Sequence, residues 1–114
     1  MTADVAEARR TLEERRDRLR REIGAAGIDP DSVDYVTELE HGFADGAHTA
    51  AERGHSITLV RELKGSLADV ERALGKLDKG TYGLCERCGE PIGAERLEAI
   101  PEARLCITCK QAAR

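Results

Sequence analysis

The sequence has no tryptophan, one phenylalanine, two tyrosines and one methionine among its 114 residues. The large side chains that fill a thick globular core are therefore scarce, while 35% of the chain is charged. That balance argues against a deep core. It suits long exposed helices sharing one narrow apolar seam, or a small domain held by a metal. No apolar run reaches the roughly 18 residues that a membrane span needs, so no membrane association is expected. The opening stretch MTADVAEARR has neither an apolar signal core nor a cleavage pattern. The expected location is cytoplasmic, where four cysteines are read as reduced thiols rather than disulfides.

The net charge of −4 is concentrated in one segment. Residues 29–53 carry Asp29, Asp31, Asp34, Glu38, Glu40, Asp45 and Glu52 against Arg53 alone. The stretches before and after are close to neutral. An acidic surface is a poor partner for a phosphate backbone, so direct sequence-specific DNA binding is not expected. A basic protein groove is a better match.

The clearest helix spans 55–79. Val60, Leu63, Leu67, Val70, Leu74 and Leu77 step alternately by three and four, a heptad a/d seam. Gly65 and Gly75 fall at outward positions, and Gly80 suits the residue just past the helix end. The seam needs a partner. Residues 3–23 offer Val5, Ala8, Leu12, Leu19 and Ile23, with Arg15 at one core-like position. GAAGIDP (24–30) interrupts that arm. Resumption is expected, with Asp29 as cap, Pro30 in the first turn, and Val33, Val36, Leu39 and Phe43 at helical spacing. The preferred architecture is an antiparallel hairpin of an interrupted arm 3–41 and an arm 47–79. Its turn lies at 42–46, between Gly42 and Gly46. The rival is a shorter hairpin closed at 24–54 by a long loop. The organisation expected is a coiled-coil hairpin over 1–79 and a small cysteine domain over 80–114.

All four cysteines lie in CERCGEPIGAERLEAIPEARLCITC (85–109), spaced C-x2-C, seventeen residues, C-x2-C. Each pair presents two thiolates from one turn, and two such turns form a closed tetrahedral site for one structural zinc. Cys85, Cys88, Cys106 and Cys109 are the candidate ligands. Gly89 suits the first turn. Arg87, Arg96, Arg104 and Lys110 are available to offset the charge of four thiolates. Ile92, Leu97, Ile100, Leu105 and Ile107 can supply a small core. A unit this short is expected to depend on its metal for folding. No βαβ pattern accompanies the C-x2-C pairs, which argues against a thioredoxin-like redox pair, and no nucleophile and base set is visible. The chain is not expected to be an enzyme.

The four cysteines, Ile92, Arg96, Pro101 and the preceding GTYGLC resemble the zinc finger of the DksA/TraR family of bacterial transcription regulators. A heptad helix running straight into the finger is also that family's arrangement. Counted back from Cys85, Asp45 and Ala47 fall where the family keeps an Asp-x-Ala at its coiled-coil tip. A second family Asp, three positions earlier, is Gly42 here. The resemblance implies binding to RNA polymerase rather than DNA, with the coiled coil entering the secondary channel and its acidic tip approaching the catalytic centre. It implies altered stability of promoter open complexes. The alarmone ppGpp, which works with one member of the family, is a candidate co-effector.

Plainer roles stand beside these. His41, His48 and His55 are seven apart, about 10.5 Å between neighbours on one helix, too far to share a metal ion. Phe43 could close the hairpin end or anchor in a partner pocket. Asp45 could cap the outgoing helix. Two other functions fit the composition: a structural module whose coiled coil pairs between chains, and a thiol redox sensor without polymerase action. The first predicts a concentration-dependent dimer, and the second predicts zinc release by mild oxidant.

Overall fold

A computed structural model describes residues 5–44 and 49–112, without the side chains of 41–44. Among these residues lie helices α1 (Val5–Ala25), α2 (Tyr35–Ala44), α3 (Ala50–Lys79), α4 (Ala94–Ala99) and α5 (Ile107–Ala112). No strands occur among them, only one isolated antiparallel bridge, Leu84 with Pro91. No described helix is long and apolar enough to cross a membrane. The fold is the expected mainly α class, coiled-coil helices followed by a small four-cysteine finger. The chain packs as two compact units, Met1–Arg16 with Ala68–Arg114, and Asp17–Leu67.

In the Asp17–Leu67 unit, Ile23, Ile28, Leu39, Val60 and Leu67 form the core, flanked by Leu19, Tyr35, Ile57 and Leu63. Complete burial of Ile23 and near-complete burial of Val60 is worth about 2 kcal/mol each. α1 stops within the stretch that the sequence marks. Gly27 takes a left-handed conformation at φ 84°. The N–H of Gly27 donates to Gly24 O, and that of Ile28 to Ile23 O. Buried contact between Ile28 and Ile23 completes a Schellman motif.

The resumption differs from expectation. Pro30 does not open a helix. Asp29 to Ser32 close a turn through Ser32 N–H to Asp29 O at 3.0 Å, and Asp29 Oδ1 accepts from Asp31 N–H. Proline suits the second position of such a turn, and the local side-chain bond competes with helix. Helix therefore restarts only at Tyr35, and Val33 is 95% exposed rather than part of a seam. Lys64 of α3 holds this loop. Its ammonium donates to the carbonyls of Asp29, Pro30 and Ser32 and lies 5.7 Å from the Tyr35 ring centroid.

The break between α2 and α3 also falls later than expected, because α2 continues through Gly42 to Ala44. Asp45 and Ala47 lie outside the described residues, as does the side chain of Phe43. α3 begins at Ala50, not near Ala47. Its cap is Thr49, whose hydroxyl accepts the Glu52 N–H at 3.1 Å. The Thr49-x-x-Glu52 spacing is that of a capping box. Of the histidine stripe, only His55 has a described side chain, and it is exposed.

In the other unit, Leu12, Val70, Ala73 and Leu74 are buried, and Arg9 pairs with Asp78 at 2.8 Å. Val5 is half exposed, so the seam of α1 is effective from Ala8 onward. The seam expected of α3 is otherwise borne out, and a Cβ at Gly65 or Gly75 would meet nothing within 4 Å.

Candidate metal centre

α3 ends as its sequence predicts. Gly80 is left-handed at φ 78°, its N–H donates to Leu77 O, and the Thr81 N–H donates to Lys76 O. The chain then folds back on itself. Ile92 N–H to Gly83 O and Cys85 N–H to Glu90 O, both 2.8 Å, close a loop holding Cys85 and Cys88. Gly89 turns that loop at φ 77°, with its N–H on Cys85 O. Gly83 is needed twice over. Its φ is 89°, and a Cβ there would stand 3.3 Å from Leu97 Cδ1. The Arg87 N–H lies 3.4 Å from Cys85 Sγ and can donate to it.

The second cysteine pair sits at the start of α5, where the Lys110 N–H donates to Cys106 O. α4 positions it, since Arg96 Nε donates to Leu105 O at 3.0 Å. Tyr82 ties the finger from the other side, donating its hydroxyl to Pro101 O at 3.0 Å. Burial and the nearby Glu102 carboxylate raise the Tyr82 phenol above its ordinary range. The two cysteine turns meet through Glu86 N–H to Arg104 O at 2.9 Å.

The result brings all four predicted ligands together. Their sulfurs lie within 4.8 Å of one another, and Cys88 Sγ is 3.8 Å from Cys106 Sγ. A tetrahedral zinc with bonds of about 2.3 Å sets its sulfurs about 3.8 Å apart. The chemistry of the donor set also asks for a cation. Burial, then the neighbouring thiols, push Cys109 up to about 12. Cys85 goes the other way. The backbone N–H of Cys88 pulls it down against burial, with further help from those of Cys106 and Arg87, to about 6. All four sulfurs can be thiolates together only when a metal ion takes up their charge. With four protein ligands the site is closed, which suits a structural ion and leaves no open coordination position for catalysis.

The surrounding core is smaller than the sequence suggested. Cys85, Cys109, Ile92 and Leu97 are buried, with Tyr82, Ala103, Leu105 and Cys106 packed against them. Ile100 and Ile107 are instead 40% and 53% exposed. A short finger has only one buried side, and the metal ligands occupy much of it. Of the expected counter-charges, Arg96 serves the Leu105 carbonyl and Arg104 pairs with Glu86. The sequence reading missed Glu86. The signal available was its place directly after the first ligand.

Residues 80–114 match the family model of the prokaryotic dksA/traR C4-type zinc finger. The chain is 38% identical over 112 residues to the RNA polymerase-binding transcription factor DksA of Escherichia coli, an alignment covering 95% of this chain and 70% of that protein. It is 52% identical over 46 residues to an uncharacterized protein of Aquifex aeolicus, covering 40% of this chain and 32% of the other. Its fold is similar to that of the transcription factor DksA2 from Pseudomonas aeruginosa. The TM-score is 0.71 and the identity 28%, with 96% of this chain and 81% of that one covered.

Proposed function

This chain belongs to the DksA/TraR family, and from that premise we propose that it binds RNA polymerase and regulates transcription initiation. One observation carries the reading: the 38% identity runs over 112 residues, so it takes in the helices as well as the finger. On this reading residues 80–114 are a structural module around one zinc held by Cys85, Cys88, Cys106 and Cys109. Residues 1–79 are the arm that enters the polymerase secondary channel. Asp45, Ala47 and Phe43 are the contacts at its tip. The acidic surplus of residues 29–53 supports a basic protein target over DNA. The protein acts without catalysis of its own, in the cytoplasm where the polymerase works.

The competing reading, a coiled coil completed by a second chain, has less to explain. Val60, Leu67, Val70 and Leu74 are already buried within one chain. The test is a photo-crosslinker at position 45 with purified polymerase, alongside transcription of Asp45→Ala with and without ppGpp. The expected outcome is a crosslink in the secondary channel and a variant that binds but no longer alters open-complex lifetime. No crosslink to polymerase would overturn the reading.

A further inference from the structure

Glu86 is a carboxylate placed where the metal centre would prefer a cation. It follows Cys85 directly, and four thiolates on Zn²⁺ carry a local charge of about −2. Three cations surround it instead. Lys76 Nζ is 2.7 Å from Oε2, Arg104 Nε is 3.1 Å from Oε1, and Arg72 Nη1 is 3.6 Å from Oε1. The Lys76 side chain is 14% exposed and that of Glu86 23%, so the pair is partly screened from water. Arg104 also reaches Asp69 of α3 at 3.9 Å.

Two of these residues flank the metal ligands. Glu86 adjoins Cys85, and Arg104 stands two residues before Cys106. They are joined by the backbone bond that links the cysteine turns and by their side chains. The pair can form only while the two turns are together, and a metal ion held by all four cysteines would add to the backbone bond that joins them. The partners of the pair, Asp69, Arg72 and Lys76, lie on one helix.

We infer that Glu86 and Arg104 form a clasp through which metal loading of the finger is coupled to the 68–79 segment of α3. Glu86 is a positioning residue for the metal, acting through Lys76 and Arg104. Coupling is reciprocal, so breaking the clasp weakens the metal by the factor that losing the metal weakens the clasp. This inference stands apart from the polymerase reading.

The direction of the effect distinguishes the clasp from simple electrostatics. Removing a negative charge beside a zinc tetrathiolate should by itself tighten zinc. Glu86→Gln is expected instead to weaken zinc about tenfold, the low end for residues that orient metal ligands. The measurement is competition of zinc against a chromophoric chelator, for wild type, Glu86→Gln, Lys76→Met and the double variant. The Lys76→Met effect is expected to vanish in the Glu86→Gln background, because both break one interaction. Amide exchange over 70–79 is expected to speed up on zinc removal in wild type and to be already fast in zinc-loaded Glu86→Gln. Unchanged or tighter zinc binding by Glu86→Gln would overturn the inference. So would a Lys76→Met effect that persists in full in the double variant. Lys76→Met keeps the test open should Glu86→Gln fold poorly.

Discussion

Arg15 of α1 donates from one Nη1 to both carboxylate oxygens of Glu102, at 2.7 and 2.5 Å. In the sequence Arg15 is a blemish, a cation at a core-like position of the α1 seam. In the structure it is a link between α1 and the finger, within one compact unit. The bond is partly buried, with the side chains 35% and 19% exposed, so its carboxylate cannot fully rehydrate when its partner is lost.

Arg15→Leu therefore does not gain stability from a better seam. It is expected to lose about 1 kcal/mol, since an unpaired, partly buried carboxylate costs more than the leucine returns. Denaturant melts of Arg15→Leu, Glu102→Gln and the double variant test this. Additive effects would show that the two residues do not communicate.

Lys64→Met removes three carbonyl bonds from the 29–32 loop while keeping the aliphatic stem. Expected is a loss of about 1–3 kcal/mol, with faster amide exchange confined to 28–34. A variant as stable as wild type would mean that the turn bonds alone hold the loop.

The same loop carries a pH signal. The Arg20 hydrogen bond, then its charge, holds Asp31 below its ordinary value of 3.8. A carboxyl with a depressed folded value contributes stability above its unfolded value and loses it as pH falls through the folded one. The tie between Arg20 and Asp31 is thus intact at neutral pH and loosens below 3.8. In an NMR titration the Asp31 midpoint should rise toward 3.8 in Arg20→Met. An unmoved midpoint would contradict the pairing.

Thr49→Ala should fray the start of α3 at a cost of about 1 kcal/mol, and Thr49→Asp should restore it. Amide exchange at Glu52 and Arg53 reports the cap directly. Equal protection in all three proteins would assign the helix start to some other group.

Metal removal is expected to affect the two compact units differently. Elemental analysis is expected to give one zinc per chain. A strong chelator, or acid that protonates the thiolates, should unfold the finger and change the Tyr82 environment. Residues 17–67 have their own buried core around Ile23 and Val60 and should keep their amide protection. Their collapse along with the finger would show that this core is not self-sufficient.

Some of this molecule is written in single short stretches of chain. The C-x2-C pairs needed no tertiary information, because each ligand pair lies in one turn, the first closed by Gly89. The α3 seam and the stops at Gly27 and Gly80 are equally local, set by side-chain periodicity and by backbone that only glycine adopts easily. Local reading failed where two local signals competed. Asp29-Pro30 serves as well for a turn as for a helix start, and geometry favoured the turn.

What the sequence could not decide are the contacts between residues far apart in the chain. Arg15 and Glu102 are 87 positions apart, and Lys64 is 32 to 35 positions from the carbonyls it holds. A cation in a seam, a lysine on a helix and a glutamate beside a ligand look like noise until folding supplies their partners. Burial then turns those partners into fixed interactions, because in a partly dehydrated site an unpaired charge is too costly to leave. Cysteine spacing and heptad periodicity by themselves determined a metal-held finger following a coiled-coil helix. Tertiary structure alone decided how charge joins Glu86 and Arg104 to α3, and how Lys64 secures the loop between α1 and α2.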